Sequence, residues 1–89
     1  MRHAARTDAS QAEVVKALRA IGAQVYYVKL PLDLLVAYRS RTFLVEVKEN
    51  GGRLTKEQAE FLAIWSGEAH VVRSPEEAVV AAVGPQAMQ

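Results

Sequence analysis

Three apolar, β-prone stretches are crowded between residues 25 and 48. They are Val25–Val28, Leu34–Tyr38 and Thr42–Lys48, rich in the β-branched and aromatic residues that suit a pleated surface. Pro31 interrupts the first, since a proline cannot donate to a sheet ladder. Arg39-Ser40-Arg41 supplies a polar turn between the second and third, and Asn50-Gly51-Gly52 breaks the chain after them. A chain with this centre folds around a strand hairpin.

Helical patterns flank that centre. Val14, Val15, Leu18 and Ile21 recur at helical spacing. Ser10-Gln11-Ala12-Glu13 before them reads as a capping box, and Gly22 sits where a glycine ends a helix. A second helix opens at Thr55-Lys56-Glu57-Gln58, another capping box, with Ala59, Leu62, Ala63 and Trp65 on its apolar side and Gly67 closing it. On the same spacing Phe61, Leu62 and Trp65 are expected in the core. Tyr26, Tyr27 and Tyr38 are expected half buried on strands. Ala69–Val72 is a short strand, and Ser74-Pro75-Glu76-Glu77 starts a third helix that ends near Gly84-Pro85. The tail from Gln86 to Gln89 is expected to fray. The order α-β-β-β-α-β-α predicts an α/β fold with a mixed sheet and a C-terminal helix.

Composition sets the remaining bounds. The chain has 89 residues, 51% of them hydrophobic and 24% charged. This fits one small domain over residues 1–89, with an ordered core of about 8–84, rather than two domains or a disordered chain. There is no cysteine, which excludes disulfides, a thiolate nucleophile and thiolate-held metals. No apolar run approaches the length of a membrane span, and Met1–Arg6 lacks the apolar centre of a secretory signal. The net charge of +1 removes the simplest nucleic-acid argument, so any phosphate contact must come from local clusters. His3 and His70 have no partner at metal-ligand or general-base spacing.

Two acidic groups and a lysine interrupt the apolar strands in Leu32-Asp33-Leu34-Leu35-Val36 and Phe43-Leu44-Val45-Glu46-Val47-Lys48. A hairpin centred on Ser40 and Arg41 pairs Asp33 with Lys48 and Leu35 with Glu46. All three charged side chains then share one face, with Asp33 and Glu46 as diagonal neighbours about 7–8 Å apart. A three-residue loop would instead send Asp33 to the other face. Two carboxylates without histidine suit a hard cation such as Mg²⁺, which takes oxygen ligands and keeps several waters. The same alternation also describes a strand with a solvated outer face, so the hairpin register decides between the two readings.

These residues resemble the PD-(D/E)XK nuclease superfamily, and more closely its small stand-alone VRR-NUC branch, related to Holliday-junction resolvases. The resemblance rests on Asp33-Leu34-Leu35-Val36, on Glu46-Val47-Lys48 and on Gly51-Gly52-Arg53-Leu54-Thr55-Lys56-Glu57-Gln58. It runs from about Thr7 to Val83, helped by Gln11-Ala12-Glu13 and Val71–Ala78. One departure is Leu32, which stands between Pro31 and Asp33 where the family commonly joins the proline to the acid.

The resemblance implies a restriction-endonuclease-like αβββαβ core and a Mg²⁺-dependent deoxyribonuclease, with Mn²⁺ as a substitute. Asp33 and Glu46 would hold the metal, Glu13 would be an additional acidic group reaching it, Lys48 would be the catalytic lysine, and Gln58 the polar residue on the following helix. Glu13 and Gln58 each have a competing role as helix caps. Arg39, Arg41, Arg53 and Lys56 are candidate DNA contacts, with an ordinary solvated surface as the alternative. The implied substrate is DNA, branched or duplex, in the cytoplasm of a bacterium or a phage-infected host. A homodimer is expected, because one domain this small offers little of the ~1,000–2,500 Å² that specific DNA interfaces bury. The competing class is a non-catalytic DNA-binding or assembly module that retains the nuclease fold.

Overall fold

A computed structural model describes residues 2–84 of the chain, with side chains from Ser10 onward. The tail expected to fray lies outside the described residues, and the side chain of His3 outside the described side chains. The elements are α1 (Arg2–Ala20), β1 (Gln24–Tyr27), β2 (Leu34–Tyr38), β3 (Arg41–Val47), α2 (Lys56–Ile64), β4 (Ala69–Val72) and α3 (Pro75–Val83). They form one four-stranded mixed sheet in the order β1-β2-β3-β4. The first three strands are an antiparallel meander, and β4 joins β3 in parallel after the α2 crossover. The α/β class and the C-terminal helix are as the sequence predicts. No helix among the described residues is long and apolar enough to cross a membrane.

Alternation along the strands sorts the two sheet faces. Val25, Leu34, Val36, Phe43, Val45, Val47 and Val72 point one way and pack with Val14, Val15 and Leu18 of α1 and Ala78 and Ala82 of α3. α1 and α3 also pack on each other. Leu35, Leu44 and Glu46 alternate with these residues and therefore face the opposite side, where Gln58 of α2 meets Glu46. β3 is buried on both faces, which is why nearly every residue from Phe43 to Val47 loses its solvent.

The chain's punctuation explains most element boundaries. Gly22, at φ 98°, ends α1. Its N–H donates to the Arg19 carbonyl at 3.0 Å and the Ala23 N–H to the Leu18 carbonyl at 3.1 Å, the pair of bonds of a Schellman cap. Thr55 and Gln58 form the expected reciprocal capping box, and Ser74 caps α3 ahead of Pro75. Ser10 differs from expectation. α1 begins eight residues earlier, so Ser10 lies in the helix interior and no capping box exists there. Alanines at 4, 5 and 9 favour helix through this stretch.

The β2–β3 turn also differs. Its two loop residues are Arg39 and Ser40, both left-handed at φ 52° and 68°, as two-residue hairpins require. Tyr38 consequently pairs with Arg41 and Leu34 with Val45. The register is displaced by two residues from the one expected, which preserves every side chain's face because strands repeat every second residue. Extended by one rung, it sets Asp33 across from Glu46 rather than from Lys48.

The outer edge of β1 is guarded. The Arg19 guanidinium donates to the Val25 carbonyl at 2.8 Å, occupying an acceptor that an edge strand would otherwise offer.

Candidate metal centre

Leu32 fixes the first carboxylate. It is fully buried and anchors the chain immediately before β2. The next residue, Asp33, receives the Val28 and Lys29 N–H groups on its carbonyl at 2.9 and 3.2 Å, closing the β1–β2 loop. Lys29 takes a left-handed φ of 72° inside that loop. The Leu32 that departs from the family pattern is thus the plug that holds Asp33 at the mouth of the hairpin.

The two acids are wired together through the backbone. The Val47 N–H donates to Asp33 Oδ2 at 2.8 Å, and the Asp33 N–H donates to Glu46 Oε1 at 3.2 Å. Glu46 is only 2% exposed. Its other oxygen, Oε2, accepts from Gln58 Nε2 at 2.7 Å and lies 3.3 Å from the Lys48 ammonium. Gln58 spends its own Oε1 on the Thr55 N–H at 2.9 Å. The cap expected of Gln58 is present, and the same amide that caps α2 with its oxygen holds Glu46 with its nitrogen.

Burial makes negative charge costly here. Desolvation pushes the Glu46 carboxyl above its ordinary range, and the neighbouring Asp33 charge pushes it further, against the pull of Lys48. Asp33 is likewise raised by desolvation, opposed first by the Val47 N–H and then by Lys48. Burial leads both shifts, and only at Glu46 does a neighbouring negative charge add to it.

Asp33, Glu46 and Lys48 line one cavity of about 220 Å³ together with Ser10, Glu49, Gly52 and Arg53. Gly52 closes the turn that follows β3, its N–H bonded to the Glu49 carbonyl at 2.8 Å. A β-carbon there would meet that carbonyl at 3.0 Å. The wall of the cavity toward α1 is Ser10, whose hydroxyl donates to Glu49 Oε2 at 3.2 Å. Glu13 is exposed one turn further along α1 and is not among the lining residues.

The four basic candidates separate. Arg53 lines the cavity, and Lys56 is exposed at the first turn of α2. Arg39 lies at the turn end of the hairpin, stacked on Tyr38 with 5.1 Å to the ring centroid, about 15–20 Å from the carboxylates at the strand rise. Arg41, expected on the DNA surface, is a clip within the fold. It pairs with Glu68, donates to the Ala81 and Ala82 carbonyls at the end of α3, and lies over the Phe43 ring. Its position opposite a helix C-terminus, where cations are favoured, explains this use.

His70, expected without a partner, contacts Glu68 Oε2 at 2.7 Å and meets the edge of Phe43. Ser10 and Glu49 were not legible as cavity residues, because no local pattern links positions 39 apart in the chain. A group of three or more His, Cys, Asp or Glu side chains able to hold a metal is not present among the described residues.

Comparison with family models, curated proteins and solved structures returned no match to this chain.

Proposed function

We propose that this chain is a metal-dependent endonuclease that hydrolyses DNA phosphodiesters on a restriction-endonuclease-like core of the VRR-NUC type. The observation that carries the reading is the convergence of Asp33, Glu46 and Lys48 on one cavity, with Arg53 at its rim.

The donor set suits a hard divalent ion. Burial disfavours the ionised form of both carboxylates, which a bound cation would stabilise, and Mg²⁺ commonly takes one or two carboxylates plus waters and a substrate phosphate. Asp33 and Glu46 would hold Mg²⁺ or Mn²⁺, which when bound supplies a Lewis acid for the phosphate and lowers the pKa of water. Lys48 places an ammonium beside that position, able to orient a nucleophile or to stabilise charge growing on the phosphate oxygens. Gln58 keeps Glu46 in one rotamer. Arg53 and Lys56 offer phosphate contacts on the same side.

The test is cleavage of a labelled four-way junction and of linear duplex with Mg²⁺ and with chelator. Metal-dependent cleavage is expected, slowed about 100-fold or more by Asp33→Asn and by Lys48→Ala. Cleavage indifferent to both substitutions would overturn the assignment. Salt-sensitive binding without cleavage would select the non-catalytic module instead.

A further inference from the structure

Two regions depart from what the sequence predicts. On the α2 side of the sheet, Trp65, expected in the core, is 43% exposed, and Tyr26, expected half buried, is 65% exposed. Nothing among the described residues shows what covers that face. The other region is the turn after β3, whose contacts reach a residue outside the cavity.

This turn runs from Glu49 through Asn50 and Gly51 to Gly52, and it delivers Arg53 to the cavity. Gly51 takes a φ of 80°. Two successive glycines leave the backbone here with the most conformational freedom to lose. A phosphate contact carried by Arg53 is weakened by whatever part of that freedom must be given up on binding. The turn therefore has to be fixed in advance by bonds from elsewhere.

Glu49 is the point of attachment. Its carbonyl accepts from the Gly52 N–H at 2.8 Å and from the Arg73 guanidinium at 2.9 Å. Its carboxylate accepts from the Ser10 hydroxyl of α1 at 3.2 Å. One residue is thus tied to its own turn, to the end of β4 and to α1.

Arg73 is itself held from two sides. The Lys48 N–H donates to the Val72 carbonyl at 2.9 Å, which sets the ends of β3 and β4 beside each other. The Arg73 N–H donates to Glu77 Oε1 at 2.7 Å, and the Glu77 N–H donates to Ser74 Oγ at 3.1 Å. The start of α3 therefore anchors the backbone from which the guanidinium reaches across. Arg73 does not line the cavity.

We infer that Arg73 is a positioning residue for the DNA contact at this site. It acts through the Glu49 carbonyl on Gly52, and so fixes the direction in which Arg53 leaves the turn. A charged donor makes the stronger kind of hydrogen bond, and without it the Gly52 N–H alone would hold a glycine turn. The inference rests on the proposed function for what Arg53 touches, while the clamp itself stands on the bonds described.

A double-mutant cycle on the full chain tests it. A labelled four-way junction is titrated in chelator, so that no bond is cut. Arg73→Ala and Arg53→Ala should each raise the dissociation constant about 10-fold, and the double variant no more than Arg53→Ala alone. Arg73→Lys keeps a cationic donor and should recover most of the loss. With Mg²⁺, Arg73→Ala should raise KM and leave kcat near wild type, as expected when uniform binding is lost. Amide exchange at Gly52 should quicken about 10-fold in Arg73→Ala while Val45 in the core is unchanged. Arg73 is exposed, so its variants should fold. Losses that add in the double variant would make Arg73 a phosphate contact in its own right and overturn the inference. Unchanged Gly52 exchange, or a fall in kcat at constant KM, would also overturn it. A wild type that binds the junction and cuts nothing would remove the nuclease reading, and the binding cycle would still decide the role of Arg73. A wild type without DNA affinity would overturn both.

Discussion

Leu32 and Asp33 are adjacent in sequence and opposite in character, and the site depends on both. Leu32 has no exposed surface, so Leu32→Ala should cost about 2–5 kcal/mol in urea unfolding, the range of buried leucine truncations. Asp33 works in the other direction. Its carboxyl is raised from an ordinary 3.8, so ionising it costs folding free energy that grows as pH rises through the raised value and vanishes below 3.8. Asn keeps an acceptor for the Val47 N–H and removes the charge beside Glu46. Thermal unfolding of the metal-free chain should therefore show Asp33→Asn more stable than wild type at neutral pH and equal to it at acid pH. Glu68 has the opposite sign. Arg41 holds it below its ordinary 4.5, so its stabilisation is complete above that value and is lost as pH falls through the lowered one. Glu68→Gln should flatten the acid limb of the stability curve. Glu13, outside the cavity, gives a further contrast: Glu13→Gln should cleave DNA like wild type in the assay that Asp33→Asn fails.

At the scale of elements, turn chemistry carries most of the predictive content. Gly22, Thr55-x-x-Gln58 and Ser74-Pro75 mark α-helix ends because each satisfies orphan backbone groups locally, and all three boundaries were legible for that reason. The β2–β3 turn was harder to read. Arg39-Ser40 is an unusual pair for left-handed backbone, where Asn-Gly is typical, so the hairpin centre was expected one residue late. The carboxylate face survived that error only because the register moved by an even number. Ser40→Gly should relieve the left-handed strain and stabilise the chain by about 1 kcal/mol, a rise of roughly 4–8 °C in Tm by calorimetry. Thr55→Ala should cost about 1 kcal/mol through the lost cap. It removes the Oγ1 acceptor of the Gln58 N–H but leaves the Thr55 N–H on Gln58 Oε1 and the Gln58 amide on Glu46, so cleavage should stay near wild type.

For the whole molecule, the division between legible and illegible follows contact range. Core positions Val14, Val15 and Leu18 were readable from periodicity, and the acidic pair from its interruption of apolar strands. Ser10 at the cavity wall and Arg41 on the end of α3 depend on contacts that no local window contains. α2 was misread for a related reason: its apolar side is real, but what the helix meets within one chain does not bury it. Divalent-ion binding acts on the molecule as a unit. Mg²⁺ at 100 times its dissociation constant should add about 2.7 kcal/mol of stability, reversed by chelator and much reduced in Asp33→Asn.

The Arg19 side chain on the Val25 carbonyl has a consequence for how copies can meet. With that hydrogen-bonding position taken, a neighbour's strand cannot dock there to continue the pleated array. An open-ended stack of strands built through β1 is therefore disfavoured.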